Sequence, residues 1–282
     1  MAALQFDLVT VGGGLGASSL GKAMAENGAR VLILEQEARF RDRIRGELLT
    51  SWGVNEAREL GVFDSLLATC AVEVPWVDLG FGPRDLRTTT LQRSAALSYV
   101  HPEMQEALLG AAENAGAQVR RGVAVRSVET GGSPVVTIES EGCTEHLPAR
   151  LVVACDGSGS QTRKWAGFKV ARNSQPFLLA GVLLTNVASR QDLAWLVFNF
   201  TNGMTAAVIP VGRNRFRAYL GYPAAFNYRL QGQDDFPCFA QSQRRHCLPP
   251  LISMPTRRQS GLLHPSMAET PGLSIPMATA SR

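Results

Sequence analysis

Phe6-Asp7-Leu8-Val9-Thr10-Val11-Gly12-Gly13-Gly14-Leu15-Gly16-Ala17 is the stretch on which the fold turns. Its first six residues form a mainly apolar run rich in β-branched side chains, which predicts a short buried strand that runs straight into glycines. Ser18 to Asn27 then has helical spacing closed by Gly28, and Arg30 to Leu34 reads as a second apolar strand, a β-α-β unit in about 30 residues. Gly12, Gly14 and Ala17 occupy the three positions of G-x-G-x-x-[GA]. The first permits a tight turn, the second lets a pyrophosphate approach the backbone, and the third keeps the helix close to the strand. Unpaired N–H groups at the helix start face the phosphates. Glu35 closes the second strand at about the 20-residue distance where a carboxylate accepts hydrogen bonds from ribose hydroxyls and repels a 2′-phosphate. A glycine turn that binds nothing carries the same short motif, so the weight lies in the strand, helix and Glu35 around it. The unit by itself serves NAD or FAD equally.

Outward from this unit, Arg45 to Leu60 has helical spacing, with Leu48, Leu49, Trp52, Ala57 and Leu60 available for one face and Gly61 placed to end it. Pro75 to Leu91 reads as irregular or hairpin structure. Pro102 to Asn114 reads as a helix with Pro in the first turn and Gly116 beyond its end. Val119 to Val128, Val135 to Glu139 and Leu151 to Ala154 predict three strands. From Phe177 the texture changes to longer runs, Phe177 to Leu184, Ala194 to Phe200, Thr205 to Pro210 and Arg215 to Tyr222, which predict an antiparallel sheet in a second lobe. Beyond about Asp235 no sustained helix or strand pattern is visible.

The bulk composition narrows the function classes. With 282 residues, 45% hydrophobic and 18% charged, the chain suffices for one large domain or two modest ones. The formal charge of +4 comes from arginines scattered along the chain rather than set in a stripe, so no nucleic-acid partner is expected. Cys70, Cys143, Cys155, Cys238 and Cys247 show neither CxxC spacing nor histidine pairing, which implies no metal site and reduced thiols of a cytoplasm. A strand pattern that begins by Phe6 leaves no room for a secretion leader, and the apolar runs fall short of the roughly 18 residues of a membrane span. A cytoplasmic protein without a transmembrane segment is the expectation; the oligomeric state has no signature.

Two further segments separate FAD from NAD. Arg43-Ile44-Arg45-Gly46-Glu47 lies after the second strand, and Ala149 to Ser160 delivers Asp156-Gly157 at a strand end, continuing to Arg163. With these segments the chain resembles the FAD-dependent aromatic-ring monooxygenases, the para-hydroxybenzoate hydroxylase-like group A flavoprotein hydroxylases. The resemblance implies that Arg45, with Arg43 as fallback, contacts the FAD pyrophosphate at the start of a helix. It further implies that Asp156 reaches the ribityl and pyrophosphate while a serine and Arg163 fix the turn. A solvated basic cluster and an ordinary Asp-Gly turn are the plainer readings. Gln105 and His101 fall where relatives place a residue near the flavin, and Val125 lies in the strand that passes under the adenine. A surface histidine and a core valine would look the same.

The fold expected is therefore α/β: a Rossmann-like FAD-binding domain (1–71 and 94–173), an inserted, mainly antiparallel substrate lobe (72–93 and 174–235) and an irregular tail (236–282). The activity implied is hydroxylation of an aromatic or related small substrate with O2, by a flavin hydroperoxide formed after NADH or NADPH, bound transiently, reduces the FAD. No catalytic side chain stands out. A flavin reductase or halogenase of the same superfamily, or a non-catalytic FAD-binding remnant, is the alternative. The resemblance covers about Phe6 to Tyr222, and the family's third motif, a Gly-Asp pair, occurs nowhere in the sequence. Leu273 to Arg282, shifted by one base, permits Glu-His-Pro-Tyr-Gly-Asp-Gly-Val-Ala, so a frameshift between about Asp235 and Leu273 is expected to have removed it.

Overall fold

Phe6–Val11 forms strand β1 in the computed structural model, which describes residues 5–140, 142–171, 177–187, 189–227, 229–231, 234–246 and 266–268. Helix α1 (Leu15–Glu26) and strand β2 (Val31–Glu35) complete the expected β-α-β unit. There follow β3 (Leu48–Leu49), α2 (Ser51–Glu59), α3 (Phe63–Thr69), β4 (Ala71–Val74), β5 (Trp76–Asp78), β6 (Pro83–Asp85), α4 (Leu86–Thr89) and β7 (Ala96–Tyr99). Next come α5 (His101–Asn114), β8 (Gln118–Arg121), β9 (Ala124–Glu129), β10 (Val135–Ser140), β11 (Cys143–Ala154) and α6 (Gln161–Trp165). The remainder comprises β12 (Phe177–Thr185), β13 (Leu193–Asn199), β14 (Met204–Pro210), β15 (Arg215–Pro223), α7 (Phe236–His246) and β16 (Ser266–Ala268).

One sheet has six strands in the order β8-β2-β1-β11-β10-β9, parallel from β8 to β11 and antiparallel through β10 and β9. Every residue of β2 is buried, as a parallel strand covered on both faces must be. Val31 and Ile33 pack with Leu109 and Ala112 of α5, while Leu32 and Leu34 pack with Val123, Val136 and Ile138 on the other side. Gly21 of α1 lets the helix close on this sheet, since a Cβ there would meet Ile33 Cδ1 at 2.7 Å. From β1 the chain steps outward to β2 and β8, then returns on the opposite flank at β11. The strand order therefore reverses beside β1, and the carboxyl ends of β1 and β11 frame a crevice.

A second sheet has seven strands in the order β16-β12-β15-β14-β13-β5-β6, and β3-β7-β4 form a third, small one. One face of the second sheet holds a core of Val182, Val208, Phe216, Leu220 and Phe239. Its other face packs Tyr219, Ile209 and Ala194 against Ile44, Val74, Ala96 and Val100, joining the second sheet to the segments around β3, β4 and β7.

Three expectations change. Arg45 to Leu60 is not one helix: residues 45–47 are irregular after a bend at Ile44, Leu48 and Leu49 pair with Ser98 and Leu97, and only Ser51–Glu59 is helical. Ile44 and Glu47 are buried against the second sheet, an anchorage stronger than local helix propensity, and Trp52 is 65% exposed rather than on the buried face. Val119 to Val128 is two strands, β8 and β9, at opposite edges of the sheet, because Gly122 adopts φ 70° and turns the chain. Phe236–His246 is helical within the stretch read as irregular; Phe236, Phe239 and Ala240, at i, i+3 and i+4, are the apolar stripe that was overlooked. The expected frameshift and the segment Leu273 to Arg282 fall largely or wholly outside the described residues. Among the described residues, no helix is long and apolar enough to cross a membrane.

Candidate cofactor site

The turn after β1 is built by backbone geometry. Gly12 sits at φ 101°, and a Cβ on it would lie 2.4 Å from the Cys155 carbonyl oxygen, so only glycine lets the ends of β1 and β11 come this close. The Gly12 N–H donates to Leu34 O (2.7 Å) and the Cys155 N–H to Val11 O (2.8 Å), locking the three strand ends together. Buried Ser18 holds the turn from inside by donating to Gly13 O (3.1 Å). Gly14 caps α1 without a side-chain hydrogen bond, and a Cβ there would find nothing nearer than Gln105 Nε2 at 4.0 Å. That open space lies where the positive end of α1 emerges. Ala17, fully buried, keeps the first turn of α1 tight against the fold.

Glu35 is 7% exposed, and its two oxygens each accept one backbone N–H, from Gly13 (2.8 Å) and Glu37 (2.8 Å). A carboxylate oxygen has two lone pairs, so one remains on each for a diol. Past Glu35, the Glu37 carboxylate pairs with Arg41 (3.0 Å) and Arg43 (2.6 Å). Arg45 follows on the same segment, past a bend at Ile44.

These elements enclose a cleft of about 580 Å³, within the usual range for a cofactor site. Gly12, Gly14, Glu35, Arg45, Gln105, Val125 and Asp156 all line it, drawn from six different parts of the chain. Arg43, His101 and Trp165 join them. Ala17 and Arg163 do not; they line a shallower pocket of about 330 Å³ behind the glycine turn, which shares Gly14, Cys155 and Asp156 with the main cleft.

Asp156 is oriented by α6. Its carboxylate accepts from the Ser160 hydroxyl (2.5 Å), from the N–H groups of Gln161 (2.8 Å) and Thr162 (3.0 Å), and from the Thr162 hydroxyl (3.1 Å). Partial burial by itself would raise its pKa, but these donors outweigh it and hold the carboxyl below its ordinary value. Arg163 closes the same turn by donating to Ser158 O. His101, at the start of α5, is held below its ordinary pKa by burial, and its Nδ1 lies 3.1 Å from Gly46 O, an acceptor that requires the proton on Nδ1.

Glu47, Arg217 and Tyr219 went unnoticed in the sequence. They form a buried polar cluster behind Arg45, in which Tyr219 Oη lies 2.8 Å from Arg45 O. Glu47 is the last residue of the Arg43–Glu47 stretch, but no local signal links it to residues on a strand that far along the chain.

A family model described as FAD binding domain matches residues 5–247. The chain is 30% identical over 165 residues to the FAD-dependent monooxygenase OpS4 of Beauveria bassiana, covering 55% of this chain and 38% of that protein. It is 29% identical over 195 residues to the rifampicin monooxygenase of Streptomyces venezuelae, covering 67% and 40%. The chain thus spans about two fifths of the length of these curated relatives. The solved structure of p-nitrophenol 4-monooxygenase PnpA from Pseudomonas putida superposes with a TM-score of 0.70 at 18% identity, over 92% of this chain and 67% of that one, which establishes a shared fold.

Proposed function

We propose, from the premise that this chain belongs to the FAD binding domain family, that it is the FAD-holding part of a monooxygenase acting on an aromatic or related small substrate with O2 and NADH or NADPH. The observation that carries the reading is the meeting of the Gly12–Gly14 turn, Glu35 and Asp156 in one cleft of about 580 Å³ at the point where the strand order reverses.

The residues present fit that cofactor. The open face of Gly14 and the start of α1 would hold the pyrophosphate, with Arg45 and Arg43 supplying positive charge beside it. Glu35 would take the ribose diol on its free lone pairs, and the Val125 backbone would border the adenine. Asp156, turned towards α6, would set the shape of the Gly157–Ser158 backbone, with its carboxylate acting at the ribityl chain only through the edge that lines the cleft. Gln105 would stand opposite Gly14 as a neutral hydrogen-bonding group, and Arg163 would brace the turn from behind. Bound FAD supplies the redox chemistry and the oxygen activation. The chain contributes binding, orientation and shelter from water. The second sheet, with β5 and β6, would form the substrate lobe over residues 72–93 and 174–235, and a cytoplasmic location goes with the soluble donors such a reaction consumes.

The test is the visible absorption spectrum of the purified protein after incubation with FAD and desalting. Retained flavin bands are expected, followed by substrate-dependent NAD(P)H oxidation with phenols. A colourless protein sinks the cofactor reading, and a yellow protein that consumes no NAD(P)H with any phenol leaves an FAD-binding chain without the oxygenase activity.

A further inference from the structure

Glu47 and Arg217 stand 170 positions apart and form an ion pair with side chains 1% and 2% exposed. Arg217 Nε donates to Glu47 Oε2 (2.6 Å), and Nη2 donates both to Glu47 Oε1 (3.0 Å) and to Asp42 Oδ1 (2.7 Å). One guanidinium on β15 thus grips both ends of segment 42–47. Tyr219, two residues further along β15, holds its middle: Oη lies 2.8 Å from Arg45 O and 2.6 Å from Glu47 Oε2, its one proton shared between two acceptors. Glu47 Oε1 also receives the His101 N–H (3.2 Å), tying the first residue of α5 to the same carboxylate.

Segment 42–47 is irregular backbone with a bend at Ile44. Ile44 is buried at 4% against Tyr219 and Ile209, while Arg43 and Arg45 on either side of it line the cofactor cleft. A buried ion pair is seldom retained for stability, because well-packed apolar side chains of similar volume do as well or better; the use best supported for one is to specify register. Here the register is that of two cleft walls, the arginine segment and the start of α5 with His101 and Gln105.

We propose that Arg217, assisted by Tyr219, is a positioning residue for the cofactor: from the second sheet, through Glu47, Asp42 and the Arg45 carbonyl, it holds segment 42–47 so that Arg43 and Arg45 face the cleft. The inference rests on the reading that the cleft takes FAD. It makes the second sheet part of the cofactor site although, among the described residues, none of that sheet lines the cleft.

The test compares wild type with Arg217→Met/Glu47→Leu, in which apolar groups replace both charges. The melting temperature of the double variant should stay near that of wild type. Its FAD dissociation constant, from flavin fluorescence, should rise about tenfold or more. Trypsin should cut the cofactor-free double variant after Arg43 and Arg45 about tenfold faster, because cleavage follows the population of the opened segment. Arg217→Lys, which keeps the charge but loses the fork, should bind FAD with intermediate affinity. If the double variant does not fold, Tyr219→Phe carries the same two readouts. FAD affinity within twofold of wild type together with unchanged trypsin cleavage would overturn the inference. Failure of the wild type itself to bind FAD overturns the cofactor reading instead, and the cleavage rates of the cofactor-free proteins then decide whether Arg217 holds the segment.

Discussion

Gly12 and Gly14 belong to one motif but do different physical work, and the difference is measurable. Gly12→Ala places a Cβ 2.4 Å from a backbone oxygen at φ 101°, so it should cost roughly 2–5 kcal/mol of stability, read by thermal denaturation. Gly14→Ala meets no atom within 4.0 Å except at the edge of Gln105 and has an ordinary φ of −69°; its stability should change by less than about 1 kcal/mol. FAD affinity, in contrast, should fall at least about tenfold in Gly14→Ala, because the methyl group occupies the space the phosphate needs. Equal effects of the two changes on stability would refute this division of labour. Both glycines, and Glu35 with them, were legible in the sequence because their roles follow from backbone conformation within one β-α-β unit. Asp156 was legible as a site residue, but its four donors on the far side of the turn were not, since they depend on how α6 folds back.

The carboxyl of Asp156 links the end of β11 to α6, and its depressed pKa gives that link a pH signature. The folded value lies below the ordinary aspartate value of about 3.8, so the group contributes stability that is fully present above about 3.8 and is lost as pH falls through the folded value. Amide-exchange protection of Gln161 and Thr162, whose N–H groups donate to it, should therefore drop below pH 3.8 earlier than protection within β1; parallel loss at both places would refute the assignment. Asp156→Asn should show the same local loss at neutral pH. Elements marked by an apolar run or an apolar stripe were read well, β1, α1, α5 and β12 to β15 among them, because apolar patterning is a local property of the chain. The irregular segment before α2 was misread as helix because the contacts that fix it, Ile44 and Glu47 against the second sheet, lie far away in sequence. The break between β8 and β9 turns on Gly122, whose positive φ did not stand out within an otherwise strand-like run.

At the scale of the whole molecule, a cofactor that bridges three strand ends, α5 and segment 42–47 should stabilise all of them together. FAD at 100 times its dissociation constant should add about 2.7 kcal/mol to the folded state and raise the melting temperature by several degrees. The same concentration should stabilise Gly14→Ala by no more than about 1.4 kcal/mol, half the wild-type gain at a tenfold loss of affinity and less at a larger one, and an equal rise in both proteins would place FAD elsewhere. The two sheets also depend on each other through Arg217, so Arg217→Ala alone, which leaves Glu47 charged and buried, should cost about 3–5 kcal/mol in chemical denaturation. The sequence by itself determined the β-α-β unit, its glycine turn, the acidic end of β2, the antiparallel second sheet and the resemblance to a flavoprotein family, all of which rest on contacts and conformations within a few tens of residues. Only the tertiary structure decided that seven of those candidate residues share one cleft while Ala17 and Arg163 lie behind it, and that Glu47 finds its counter-ion 170 residues away. Ion pairing and cleft formation follow from how distant strands come into register, and no stretch of sequence encodes that register alone.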